Sequence, residues 1–190
     1  MLCLGPFRGT EQLFVLLVEW VPTPRMLSRA ESLAELTLRY FRGHGPATVA
    51  DLSRWSGLTA ADVRAGVESV RDRLASRTVD RTTYLLDPAI PARLDAHRKA
   101  ARDVLLLPGF DEIILGYGDR SMTLAPEHAD RIVPGGNGVF RPTVLVDGQV
   151  VGTWRRVGSG SERRLETVPF VPLADDVAAV VAQRHAELPG

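Results

Sequence analysis

Few residues in this chain could do chemistry, and most stand in arrangements that exclude it. Asp111 and Glu112 are adjacent carboxylates. Neighbours on a strand face opposite ways, so such a pair is poorly placed for general acid and base work on one substrate. A structural use of Asp111 is expected instead, orienting an arginine such as Arg120. His44, His97, His128 and His185 are scattered and lack metal-ligand spacing. Cys3 is the single cysteine, which excludes an internal disulfide and a cysteine-based zinc site. The run PGGNG (134–138) lacks the Lys-Ser/Thr of a phosphate loop, although Asn137 could reach a groove edge. No catalytic residue, metal ligand or cofactor is assigned.

Guanidinium chemistry remains. Lys+Arg and Asp+Glu are 23 each, so the formal charge is zero, and Lys99 is the only lysine. Arginine forks suit bidentate phosphate and base contacts. Residues 28–86 carry nine Arg against seven acids, and 131–170 carry six against three. Between them, 87–130 carry five basic groups against eight acids. Two mildly basic modules therefore flank an acidic middle. In the first, Arg64 and Arg71 alternate with Asp62, Glu68 and Asp72, and Arg81 stands at a turn. A solvated, ion-paired face explains that pattern as readily as phosphate contact does. In the second, Arg141 precedes a hairpin, Arg155 and Arg156 end it beside Trp154, and Arg163 and Arg164 lie across a glycine-rich loop. A basic two-stranded ribbon can lie in a DNA groove. The alternative is an edge hairpin that charge protects from aggregation. The expected DNA-binding set is Arg64, Arg71, Arg81, Asn137, Arg141, Trp154, Arg155, Arg156 and Arg164.

The elements that must position these groups read as α+β. The 190 residues are 45% hydrophobic, a composition of soluble globular chains. The apolar run 13–18 predicts a strand over 13–20, buried on both faces and without an earlier partner. Residues 1–27 therefore read as a strand-containing lead-in left from a missing upstream domain. With no basic leader and no spanning run, neither a signal peptide nor a membrane helix is predicted, and the lone cysteine fits a cytoplasmic location. Ser28-x-x-Glu31, Thr48-x-x-Asp51 and Thr59-x-x-Asp62 open three helices, the last running to about residue 75. A polar turn near Arg81-Thr82 then joins two short strands. Helices plus hairpin make residues 28–86 a winged helix, a helix-turn-helix with a β-wing. Residues 87–102 form a connector helix. Residues 103–190 form a small α+β unit on an antiparallel hairpin sheet, with Asp147-Gly148 as its turn. The stretch 110–117 could be helix or strand.

Three blocks carry a resemblance: RYFRGHGPATVADLSRWSGL (39–58), LLPGFDEIILGYGDRS (106–121) and VPGGNGVFRPTVLVDGQVVGTWRR (133–156). In that order they resemble the AlkZ/YcaQ-like family, bacterial winged-helix DNA-binding proteins that include DNA glycosylases. The resemblance implies tandem winged-helix units around a DNA cleft and a basic hairpin that grips the duplex. It also implies, in intact relatives, metal-free excision of alkylated or crosslinked bases, with a Gln-hydrophobic-Gln motif holding the hydrolytic water. This chain resembles only the C-terminal part of such proteins. Its glutamines are Gln12, Gln149 and Gln183, and no two lie two positions apart. The chain alone is therefore expected to bind double-stranded DNA, possibly damaged, and to excise no base. A winged-helix transcriptional regulator is the alternative. A non-catalytic scaffold or remnant that binds no DNA is the third reading, and net neutrality favours it.

Overall fold

The computed structural model describes residues 2–158 and 164–187. Arg163 and most of the glycine-rich loop before it fall outside that range. The chain opens with an antiparallel hairpin, β1 (Leu2–Arg8) and β2 (Glu11–Leu16), followed by one helical turn, α1 (Leu17–Trp20). This corrects the expectation of a lone strand over 13–20. The partner is the segment just upstream, and the last four residues are helical. Nor is the strand buried on both faces. Leu2, Leu4, Phe14 and Leu16 share one face by register, and all are exposed by 43% to 67%. A two-stranded ribbon cannot cover its own second face.

Three helices follow: α2 (Arg29–His44), α3 (Val49–Ser56) and α4 (Ala60–Ser69). The expected caps are present. The Ser28 hydroxyl accepts from the Glu31 amide while the Glu31 carboxylate accepts from the Ser28 amide, and Thr48 and Asp51 repeat this reciprocal box. Thr59 caps α4 through the Asp62 amide. Gly57 closes α3 at φ 71°, a left-handed conformation that glycine adopts without a Cβ penalty. Helix α4 ends at Ser69 rather than near residue 75. A 3₁₀ turn over Arg71–Arg73 intervenes, and Ala75 already pairs with Leu86 in the hairpin β3 (Ala75–Val79) and β4 (Thr82–Leu86). The ladder claims residues whose spacing read as helix. Its turn is Asp80-Arg81, both at positive φ, one residue earlier than expected. Ala47, between α2 and α3, exchanges two backbone hydrogen bonds with Leu85 at 3.0 and 2.8 Å. Tyr40, Phe41, Ala47, Leu52 and Val63 form the core of this unit.

Helix α5 (Ile90–Ala101) is largely exposed and leads to the second unit. There β5 (Leu105–Leu107), β6 (Thr143–Val146), β7 (Gln149–Val157) and β8 (Arg164–Pro169) form one antiparallel sheet in chain order. Asp147 (φ 49°) and Gly148 (φ 76°) make the expected tight turn between β6 and β7. One sheet face covers a core of Ile114, Leu124, Ile132, Leu145 and Val150, capped by the short helices α6 (Glu112–Leu115) and α7 (Ala129–Ile132). The opposite face covers Val104, Val144 and Val181 beneath α8 (Asp175–Glu187). Val144 pairs with Gly152 and Leu145 with Val150, so Val151 is the extra residue of a bulge. The result is a mixed α/β architecture with small antiparallel sheets.

Candidate nucleic-acid interface

The two units are joined by a keyed contact, in which the loop after α6 fits the ends of α2 and α3. The Tyr40 hydroxyl donates to the Gly116 carbonyl at 2.6 Å, and the Tyr117 hydroxyl donates to the His44 carbonyl at 2.6 Å. Burial pushes both phenols above their ordinary pKa, with carboxylates at Asp51 and Glu112 adding to the effect, so both keep the proton they donate. The Gly118 amide donates to Asp51 Oδ1 at 2.8 Å. Glu112 Oε2 lies 3.1 Å from His44 Nε2 and accepts from Trp55 Nε1 at 3.0 Å. Asp111 caps α6 through the Ile113 amide, and Arg120 donates its Nε to the Ile114 carbonyl at 2.6 Å. Asp111 therefore does not orient Arg120. A carboxylate at a helix start meets unpaired backbone amides before it meets a distant guanidinium.

Arginines follow this junction. The stem of Arg54, on α3, comes within 3.3 Å of where a Cβ would stand on Gly118. Two residues on, Arg120 holds its guanidinium 5.5 Å from the centroid of the Phe140 ring. Arg141 follows Phe140; its amide donates to the Ile132 carbonyl, and its Nη1 lies 3.4 Å from the Arg131 carbonyl. Arg131 sits over the Phe170 ring at 5.1 Å. Short contacts thus string four guanidiniums from the first unit into the second. Stacking on a ring holds an arginine in place and leaves donors of its fork facing outward.

The residues singled out from the sequence are dispersed around this seam. Arg64 is exposed on α4 and Arg81 sits at the tip of the β3–β4 turn. Arg71 is exposed but ion-paired with Glu68 at 2.7 Å. The Asn137 side chain is turned back on its own loop, accepting from the Val139 amide at 2.9 Å. Arg141 lies in the seam itself. On β7, Arg155 pairs with Glu166 across the ladder at 2.8 Å, while Arg156, exposed, has the opposite parity and so takes the other face. Arg164 borders the groove between β8 and α8, near His185. The ribbon guanidiniums are therefore not gathered on one face.

Trp154 is half-buried among Val144, Leu165 and Val181, and its Nε1 donates to the Leu107 carbonyl at 2.9 Å. Its polar edge is engaged inside the sheet. Trp154→Phe is expected to cost about 1 kcal/mol of stability, the order of one hydrogen bond lost from a half-buried acceptor. Chemical denaturation checks this.

Arg54, Arg120 and Arg131 were not in the set read from the sequence as DNA contacts. Each sits singly along the chain; the contact of α3 with the 116–120 loop brings Arg54 to Arg120, and Arg131 joins through Arg141. Among the described residues no group of His, Cys, Asp and Glu could hold a metal ion, and no helix is long and apolar enough to cross a membrane.

Residues 1–189 match the model of a family described as DNA glycosylase AlkZ-like. A relative from Streptomyces sahachiroi, described as an interstrand DNA cross-link repair glycosylase, is 29% identical over 180 residues, 90% of this chain and 46% of that protein. The solved structure of Streptomyces sahachiroi DNA glycosylase AlkZ is similar at a TM-score of 0.79 and 26% identity, over 97% of this chain and 51% of that one. The chain spans about half the length of the relatives it matches.

Proposed function

The chain belongs to the AlkZ-like DNA glycosylase family, and from that premise we propose that it binds double-stranded DNA through the arginine seam at the junction of its two units. Helices α2, α3 and α4 with the β3–β4 wing act as a winged helix. The Ala47–Leu85 bridge supports this, because it supplies the short third strand that ties such a wing to the first helices. Arg64 and Arg81 add backbone contacts from that unit, and Arg164 adds one from the ribbon, where Arg155 is held by Glu166 and Arg156 takes the other face. Phosphate neutralisation dominates such binding, so its strength falls with salt.

Damaged duplex is the substrate class, by analogy with the cross-link repair activity in the relative's description. Base excision is a property of the whole relatives. The three glutamines here have structural occupations: Gln12 donates to the Gly5 and Leu13 carbonyls, Gln149 to the Met122 carbonyl, and Gln183 to Glu187. None is placed beside another to hold a water, so this chain alone is read as a DNA-binding part without hydrolytic activity. A cytoplasmic location goes with that reading.

The observation that carries it is the family match over nearly the whole chain, together with the arginines linked by short contacts at the hydrogen-bonded junction. Fluorescence anisotropy with random duplex, abasic duplex and single strand at two salt concentrations tests it. Duplex binding that weakens with salt, favours the abasic site and releases no base is expected. Absence of binding at low salt would overturn the reading, and strict sequence preference would replace it with a regulator.

A further inference from the structure

Ten arginines among the described residues pair with a carboxylate, Arg42, Arg93, Arg102 and Arg184 among them. Arg25 and Arg39 pair with Glu35, Arg29 with Asp62, Arg71 with Glu68, Arg98 with Asp95 and Arg155 with Glu166. Arg54 and Arg120 are among the arginines with no ion pair in the described residues, and they stand together at the junction. The Arg54 stem lies against Gly118, and Arg120, two residues on, lines a crevice of about 210 Å³ with Ile114, Gly118, Asp119, Ser121 and Ile132.

The four carboxylates nearest them along the chain, Asp51, Asp111, Glu112 and Asp119, each accept a hydrogen bond from another group. Asp51 accepts from the Thr48 and Gly118 amides. Asp111 accepts from the Ile113 amide, and Asp119 from the Ser121 amide. Glu112 is shared by His44 and Trp55. Among the described residues no ion pair reaches either guanidinium. Burial holds the Arg120 pKa below its ordinary value, and the neighbouring charge of Arg54 pushes it the same way. Arg120 is positioned by its Nε bond to the Ile114 carbonyl and by the Phe140 ring, and its Nη atoms have no described hydrogen bond. Two like charges held close without a counter-ion form a site that an anion stabilises.

We propose that Arg54 and Arg120 form a clamp for one phosphodiester group of the DNA backbone, seated at the mouth of the crevice over Gly118. Glycine at 118 lets the Arg54 stem lie close, because a Cβ there would stand 3.3 Å from it. The clamp rests on the DNA-binding reading and deepens it, since it names a contact that spans both units. A phosphate held there would fix the register of the duplex across the junction.

The test uses the full chain and a fluorescein-labelled duplex of mixed sequence. Arg54→Ala should reduce the slope of log K against log salt by about one unit, and Arg54→Ala with Arg120→Ala by about two. Arg120 also packs on Phe140, so its loss could loosen the fold. Arg54→Glu avoids that difficulty: it would place a carboxylate opposite Arg120, lowering DNA affinity further than alanine while keeping or raising the melting temperature. Unchanged binding and slope in Arg54→Ala and Arg54→Glu, beside a reduced slope in Arg141→Ala, would overturn the clamp and leave the interface standing. A wild-type chain that binds no duplex would overturn both.

Discussion

Asp51→Ala should destabilise the protein by about 3 kcal/mol. The carboxylate is 7% exposed and serves two structures at once. Oδ2 accepts from the Thr48 amide at 2.8 Å and the Thr48 hydroxyl at 2.7 Å, starting α3. Oδ1 accepts from the Gly118 amide at 2.8 Å, fastening the second unit to that helix. Losing the cap costs about 1 kcal/mol. Leaving the Gly118 amide unpaired in a part-buried junction adds roughly 1–3 kcal/mol. For a chain of this size the melting temperature should fall by about 6–12 °C. Asp51→Asn keeps an acceptor oxygen and should lie between wild type and alanine. Thermal denaturation measures the size of the effect, and hydrogen exchange at the Gly118 amide locates it. A Gly118 amide as protected in the alanine variant as in wild type would show that the junction does not depend on this carboxylate.

Phe41→Ala should cost more, about 3–5 kcal/mol, the usual range for emptying an aromatic site in a closed core. Phe41 is fully buried. It packs edge-on to Tyr40, with ring centroids 5.2 Å apart, in the cluster that holds Ala47, Leu52 and Val63. These residues come from α2, α3, α4 and the segment between α2 and α3, so one ring braces the whole three-helix unit. Helix α2 ends only three residues later, at His44, and cannot collapse into the space without moving the junction bonds made by Tyr40 and His44. Phe41→Leu retains most of the volume and should lose less than about 1.5 kcal/mol. Urea denaturation of the pair separates cavity from chemistry. Equal losses in the two variants would mean that the site relaxes around either residue. Near the lowered midpoint of Phe41→Ala, duplex binding should fall together with helical signal, since Arg54 is carried by this unit.

Much of the local structure was legible from short stretches of chain. Capping boxes at Ser28 and Thr48, the stop at Gly57 and the Asp147-Gly148 turn each depend on residues within four positions of one another. Helix α4 was misjudged at its end because Val70 and Leu74 fit a helical stripe equally well as inward residues of a turn and a strand start. Strand β2 was judged unpaired because LCLGPFR, with a glycine and a proline inside it, gives weak strand signal. A bulge between Leu4 and Phe7 absorbs both.

The amino-acid order by itself determined the helical unit with its hairpin, the tight-turned ribbon, the arginine-rich character and, through three blocks in order, the family. Those are local propensities and long exact-order patterns, both written along the chain. Which arginines act together was decided only by the tertiary structure. The bonds that build the junction join residues 57 to 76 positions apart, from Trp55–Glu112 to Tyr40–Gly116. No periodicity encodes a contact between a helix end and a loop that distant. Packing brought Arg54 beside Gly118, divided Arg155 from Arg156 by strand parity and turned Trp154 inward to meet the Leu107 carbonyl.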